Sequence, residues 1–276
     1  MDKIAFLSMD VESYFDTSLI RRIKFEKDPK YCCAEEILTF VELLDKHQIK
    51  GTFFVTASFI KEAKPYLLEA IKKGHEIALH CLEHHSYKKH SKEEFKKEII
   101  EAKRIIKEEL GVEPVGFRFP KFEYKKEFFE VLKEEGFIYD SSVTKMKKPY
   151  KQYLDKVYFK DGLYEFSPIT WRAPLRNVKI SAGSFSRFVM NTSKINGQYK
   201  YIDNHNYFLF YFHPFEIHEE ELPIPSKGLN KIQKQYILVN RDKLYNHIEG
   251  LINRLKDNGY RFSTMKEYCL LANKEK

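Results

Sequence analysis

Nowhere does the sequence hold an apolar run approaching the ~20 residues that a membrane-spanning helix needs. The opening stretch Lys3-Ile4-Ala5-Phe6-Leu7-Ser8-Met9 is too short for a secretory leader. The expectation is a soluble, cytoplasmic protein. Cysteine is scarce: Cys32, Cys33, Cys81 and Cys269 show no C-x-x-C spacing, and the adjacent pair is badly placed for a disulfide framework, so reduced thiols are expected. Low-complexity tracts and a dividing linker are missing too. With 43% hydrophobic and 15% aromatic residues among 276, the chain can fill a sizeable core, which excludes disordered and fibrous classes. Charge of one sign does not dominate, since 48 Lys and Arg against 40 Asp and Glu leave +8. That surplus suits an anionic partner such as nucleic acid, an acidic glycan or membrane phosphate. Lysines and glutamates alternate from Lys92 to Glu109, however, as on a solvated helix face. No basic cluster interleaved with aromatics marks a nucleic-acid module.

What is present is a rhythm of amphipathic helix, glycine and short apolar strand. Ile37, Val41 and Leu44 form a helical stripe before Gly51 and Thr52-Phe53-Phe54-Val55, and a second helix ends at Gly74 before Glu76-Ile77-Ala78-Leu79. Phe95, Ile99, Ala102 and Ile106 lead to Gly111 and Val115-Gly116-Phe117; Phe128, Val131 and Leu132 lead to Gly136 and Phe137-Ile138-Tyr139. Leu244, Ile248, Leu251 and Leu255 repeat the unit before Gly259 and Tyr260-Arg261-Phe262. A glycine just past a helix supplies the left-handed cap. Strands alternating with such helices imply an α/β fold with parallel strands, closed as a barrel or left as an open sheet, with function at the strand C-terminal ends. Residues from about 141 to 206 break the rhythm and read as an irregular insertion with short strands. Glu219 to Asn240, with Pro223, Pro225 and Gly228, reads as a long loop.

Five polar clusters stand out, each after a short apolar run. Asp10-Val11-Glu12 places two carboxylates at i and i+2, which point the same way on an extended chain and can share a site, although a solvent-facing strand end looks the same. His80-Cys81-Leu82-Glu83-His84 has the i, i+4 spacing that lets two imidazoles on one helical turn chelate one ion. Arg118-Phe119-Pro120 offers a guanidinium for a carboxylate or substrate, or for a surface ion pair. Asp140-Ser141-Ser142 reads equally as a site or a turn. His213, ending the run Tyr207 to Phe212, is placed like a catalytic acid or a core histidine. Taken together, the five would converge on one rim. Glu12, His80 and His84 would then supply a carboxylate and two imidazoles, the donor set of a hydrolytic zinc site.

In order and strand-end context, the set resembles the NodB-type polysaccharide deacetylases, carbohydrate esterase family 4. The resemblance spans about Ile4 to His213, and 240–271 resembles the family's closing helix and strand units. Asp-Val-Glu, Ser-Ala-Gly-Ser-Phe-Ser-Arg-Phe at Ser181 to Phe188 and Phe-His-Pro-Phe-Glu-Ile at Phe212 to Ile217 look most like a branch associated with exopolysaccharide synthesis. The resemblance implies a single deacetylase domain over residues 1–276, a β/α barrel in distorted or incomplete form with the insertion at about 141–206. It implies a metal-dependent hydrolase that removes N-acetyl groups from an amino sugar in a polysaccharide, oligosaccharide or lipid-linked saccharide. Asp10 matches the base and Arg118 the arginine that orients it. His80 and His84 match the metal ligands, zinc being the expected ion, and His213 matches the general acid. Val11 stands where the family usually has its acidic ligand, so that role passes to Glu12. Asp140 is the candidate for the acid that tunes the late histidine. A backbone N–H near Tyr124 is the expected second oxyanion donor, and Tyr124 and Trp171 are expected to meet sugar faces. The competing readings are a metal-independent amide or formamide hydrolase of the same fold, and a catalytically silent glycan- or membrane-surface-binding protein.

Overall fold

The computed structural model describes residues 2–17, 19–23, 25–144, 157–172, 177–179 and 181–274, with the side chains of 160, 170–172 and 177–179 left aside. Its spine is β1 (Ile4–Val11), buried along almost its whole length. Such a strand, apolar on both faces, needs parallel neighbours with helices outside. On one side it pairs with β2 (Thr52–Thr56), then β3 (Glu76–Cys81), β4 (Gly116–Phe117), β5 (Tyr139–Asp140) and β7 (Leu163–Phe166), all parallel; β6 (Val157–Lys160) closes that side antiparallel. On its other side lies β10 (Tyr207–Phe212), also parallel, and β11 (Arg261–Phe262) pairs with its first residues. The sheet curls into a nearly closed barrel. Its seam lies between β10 and β7, where the Tyr207 hydroxyl donates to Ser167 O at 2.9 Å and Phe6 packs edge-on against Phe166 at 4.9 Å. A bridge between Ala182 and Tyr211, together with the Ser181 hydroxyl accepting from Ile169 N at 2.9 Å, stitches the inserted segment across this gap.

Outside the sheet pack α1 (Glu36–Lys46), α2 (Ile60–Lys72), α3 (Lys92–Leu110) and α4 (Phe128–Glu134). Helix α3 shows why these stretches are helical. Ser91 and Glu94 form a reciprocal capping box, Gly111 at φ 69° ends the helix, and Phe95, Ile99, Ala102, Ile106 and Leu110 make one buried stripe. Each large side chain in that stripe contributes about 1.5–3 kcal/mol by burial, and Phe95, stacked on Phe119 and Phe128, is the one whose change to Ala would most loosen it. Gly116 is demanded by contact: a Cβ there would overlap the ring of Tyr139, whose hydroxyl donates to Glu76 at 2.8 Å.

The described residues of the insertion hold more regular structure than expected. It holds β6 and β7, the separate hairpin β8 (Thr170–Arg172) and β9 (Asn177–Lys179), and two helices, α5 (Gly183–Val189) and α6 (Asn196–Asn204). The expected long loop from 219 to 240 also contains a helix, α7 (Lys231–Leu238), announced by an Asn230/Gln233 capping box among the prolines and glycines. Helices α8 (Arg241–Asp257) and α9 (Met265–Lys274) complete the chain. Among the described residues, no helix is long and apolar enough to cross a membrane.

Candidate metal and catalytic site

Because β1, β3, β4, β5 and β10 run parallel, their C-terminal ends share one rim, and the polar clusters meet there. Asp10 and Glu12 come from the end of β1, and both are buried. His80 lies in β3 and His84 in the bend after it. The two imidazoles, with centroids 5.4 Å apart, are thus brought together by a strand end and a turn, not by the helical turn that their spacing suggested.

The ring nitrogens decide what this pair can do. His80 Nδ1 lies 2.7 Å from Arg118 O, and His84 Nδ1 lies 2.9 Å from Asp16 O. A carbonyl only accepts, so each Nδ1 carries the hydrogen and each Nε2 presents its lone pair when the ring is neutral. Burial dominates at His80 and lowers its pKa to about 4, keeping the ring neutral at pH 7. Glu12 Oε2 is 2.7 Å from His84 Nε2, yet it is buried without a hydrogen-bond partner. Burial alone would raise the Glu12 carboxyl, but His84, His213 and His80 together hold it at about 2. A carboxylate and two imidazole lone pairs, with donor atoms within 4.8 Å of one another, face the same point. An arrangement of acceptors alone calls for a cation, so these residues fit a divalent ion.

Two ion-paired groups flank the set. Arg118, fully buried, donates from Nη1 to Asp10 Oδ1 at 2.5 Å and to Ser8 Oγ at 3.1 Å, from Nε to Ser141 O at 3.1 Å, and from Nη2 to Ser141 Oγ at 2.8 Å. Its guanidinium lies 3.9 Å over the Phe54 ring. Opposite stands His213, with Nε2 4.0 Å from Asp10 Oδ2 and 3.8 Å from Glu12 Oε1. Its Nδ1 meets Glu216 Oε2 at 2.9 Å, and Glu216 Oε1 accepts from Arg187 Nε at 3.0 Å. Burial works against a charged His213, but Glu12, Glu216 and Asp10 outweigh it and raise the ring to about 9. Glu216, which burial alone would raise, is held below the usual carboxylate range by Arg187 and His213.

Residues 23–139 match the family model described as polysaccharide deacetylase. That stretch of the chain is similar to the family's domain. That match takes in His80, His84 and Arg118; Asp10 and Glu12 precede it, and His213 and Glu216 follow it. Curated relatives include a peptidoglycan-N-acetylglucosamine deacetylase of Bacillus cereus, 29% identical over 116 residues, covering 42% of this chain and 52% of that protein. A chitooligosaccharide deacetylase of Sinorhizobium fredii is 25% identical over 85 residues, 31% of this chain and 38% of that protein. The uncharacterized protein YlxY of Bacillus subtilis is 25% identical over 101 residues, 37% of this chain and 32% of that protein. The chain thus spans about a third to a half of the length of these relatives. Among solved structures, a Mycobacterium smegmatis protein provisionally named a polysaccharide deacetylase superposes with TM-score 0.63 at 16% identity, covering 100% of this chain and 92% of that one. A Bacillus anthracis pseudoenzyme of carbohydrate esterase family 4 superposes with TM-score 0.56 at 12% identity, covering 97% and 66%. These likenesses show that the fold is that of the deacetylases.

Against this deacetylase frame, one expected role moves. Asp140 does not tune His213. Its carboxylate accepts from Ser142 N and from the Ser142 hydroxyl, both at 2.8 Å, beside Glu165, its paired residue on β7. Burial raises Asp140 to about 6 and Glu165 well above its usual range, so the two act as a proton-sharing carboxyl pair. The residue on His213 is Glu216, one short turn later in sequence, with Arg187 behind it. Both lie inside the stretches 181–188 and 212–217 that carry the branch resemblance, and His213-Pro214-Phe215-Glu216 is a capping pattern, so the signal was local. Gly183, in the same stretch, is required by contact: a Cβ there would stand 2.7 Å from Phe212 Cβ and 2.9 Å from Glu216 Oε2. Tyr124 is half-buried, and its ring contacts run to Phe119 at 6.0 Å and Phe129 at 5.2 Å rather than to the Glu12 set. Trp171 sits on β8, and its side chain lies outside the described part. After Arg118-Phe119-Pro120, Lys121 and Phe122 both adopt left-handed φ, 59° and 58°, a strained pair that marks this turn as part of the rim.

Proposed function

We propose that the protein is a metal-dependent de-N-acetylase of amino sugars, with Glu12, His80 and His84 holding the ion, zinc by donor type. The observation that carries this reading is the pair of Nε2 lone pairs aimed at the orphaned Glu12 carboxylate, between a base fixed by Arg118 and an imidazole fixed by Glu216. A bound divalent ion supplies Lewis acidity, which polarises an acetyl carbonyl and acidifies water. The rest falls to this chain's side chains. Asp10, its Oδ1 committed to Arg118, takes the water proton on Oδ2 as the oxygen joins the carbonyl carbon. His213 stands across the site from Arg118 and delivers the proton from Nε2 to the amide nitrogen as the C–N bond breaks, giving acetate and a free amine. Glu216 holds Nδ1–H and so keeps Nε2 turned to the substrate.

The named deacetylases among the relatives support an N-acetylated saccharide as substrate. The +8 charge favours an anionic form of it, a lipid-linked saccharide at a membrane surface being the form we propose. The test is elemental analysis of zinc-reconstituted protein beside acetate release from N-acetylglucosamine oligomers and from lipid-linked saccharide in liposomes. We expect an ion that is lost in His80→Ala and His84→Ala, and acetate release that is lost with it. Metal that is indifferent to both substitutions would overturn the site, and turnover without metal would leave a metal-independent hydrolase of this fold. Activity on neutral oligomers with none on liposomes would remove the lipid-linked substrate alone.

A further inference from the structure

The residue after His84 belongs to a second group of side chains, with His90 and Glu98, that the deacetylase chemistry does not use. His85 stacks on His90 with ring centroids 4.9 Å apart and planes 7° apart. Glu98, in the second turn of α3, offers one carboxylate oxygen to each: Oε1 is 3.0 Å from His90 Nε2, and Oε2 is 3.3 Å from His85 Nε2. Only the first is a hydrogen bond. His85 Nε2 and Glu98 Oε2 are both buried without a partner, as are His90 Nδ1 and the hydroxyl of Tyr87. Tyr87 is wholly buried, its ring 4.8 Å from His85 and 5.1 Å from His90, and its hydroxyl faces Glu98. Four orphaned polar atoms in one place are unusual, because buried donors and acceptors are nearly always paired.

We infer that His85, His90 and Glu98 form a second divalent-cation site, separate from Glu12, His80 and His84. Its three donor atoms lie within 4.8 Å of one another, and two imidazoles with one carboxylate suit zinc, cobalt or nickel. The three side chains are 22–23% exposed, which leaves an entry path and a coordination position for water. A cation here would satisfy Glu98 Oε2 and His85 Nε2 together. It would also pin the segment 82–91 to α3, and that segment carries His84. The role is therefore structural: it holds one arm of the first site without touching substrate.

The test uses the full chain, stripped by chelator and titrated with Zn²⁺ alone, with bound metal counted per chain after removal of free ion. The expected result is two ions per chain, one in Glu98→Gln, one in His90→Ala, and one in His80→Ala. In the first two variants the surviving ion should be the one that His80→Ala removes, so each double variant with His80→Ala should bind none. Glu98→Gln keeps an acceptor for His90 Nε2 and should fold as the parent does; His85→Asn serves as the second probe if it does not. Zn²⁺ should also raise the melting temperature of His80→Ala but not that of His80→Ala combined with Glu98→Gln. One ion per chain, lost in His80→Ala and indifferent to Glu98→Gln and His85→Asn, would overturn this site and leave the first standing. Two ions, both indifferent to Glu98→Gln and His90→Ala, would overturn it as well, and none at all would overturn both sites.

Discussion

Glu216→Gln separates the tuning of His213 from the rest of the chemistry. The carboxylate of Glu216 accepts from His213 Nδ1 at 2.9 Å and from the His213 backbone N–H at 3.1 Å, while its other oxygen is committed to Arg187. A hydrogen bond to a charged partner contributes about 1.5–3 kcal/mol. At about 1.4 kcal/mol per pKa unit, its loss lowers the imidazolium pKa by roughly one to two units. His213 should therefore fall from about 9 toward roughly 7 to 8. The sign is that of a general acid. Activity needs the protonated ring, is present below its pKa, and is lost as pH rises through it, so the alkaline limb of acetate release should move down by that amount. Below the new pKa the ring is still protonated and no weaker as an acid, so kcat per folded molecule there should change far less than the limb moves. Arg187, fully buried, loses its counter-charge in this variant, and breaking a buried pair costs about 3–5 kcal/mol. The assay is acetate release against pH, at a temperature where circular dichroism shows both proteins folded, because the position of the limb does not depend on the folded fraction. An unshifted alkaline limb, with rate reduced in proportion to folded protein, would refute the tuning role and leave Glu216 a structural residue.

Two further outcomes concern stability. Glu165, raised by burial and by Asp140, holds its proton in the folded state, so its contribution is present below the ordinary carboxyl pKa and is lost as pH rises. Glu165→Gln keeps an acceptor for Ser142 N and Val143 N and removes that loss. Its melting temperature relative to the parent should be higher at pH 8 than at pH 4.5, by about 2–4 °C for each kcal/mol; an equal difference at both pH values would count against the shared proton. His75, its side chain fully buried and lowered by burial to about 4, accepts from Gly51 N at Nδ1. Its contribution is present above the ordinary imidazole pKa near 6.5 and is lost as pH falls toward 4, up to about 3 kcal/mol. Urea midpoints at pH 7 and pH 4.5 should differ less in His75→Gln than in the parent, and parallel losses in the two would exclude His75 as a source of acid sensitivity.

The positions of Asp10, His80, Arg118, Asp140 and His213 at strand ends were legible because each follows an apolar run, and a parallel strand leads its polar successor to the rim. Glu12 was legible through the period of two. The helices hidden in 141–206 and 219–240 were not, because short amphipathic segments among Pro, Gly and Ser bury too little to leave a strong period. The bend at His84 was misread because an i, i+4 spacing suits a helix and also suits a strand that turns back. The tuning acid was misassigned because Asp140 and Glu216 are both carboxylates near strand ends. The register of β5 on β7 sets Asp140 beside Glu165, and the short turn after β10 sets Glu216 on His213.

By itself the sequence determined the helix, glycine and strand rhythm and the identity of the polar groups at the rim, since both depend on local pattern and backbone conformation. The tertiary structure decided the pairings: Arg118 with Asp10 across 108 residues, Arg187 with Glu216 across 29, His80 and His84 through Nδ1 with backbone carbonyls, which leaves their Nε2 atoms to the Glu12 site. A buried charge is stable only beside a partner, and which partner lies within reach is set by strand order and register across the whole sheet.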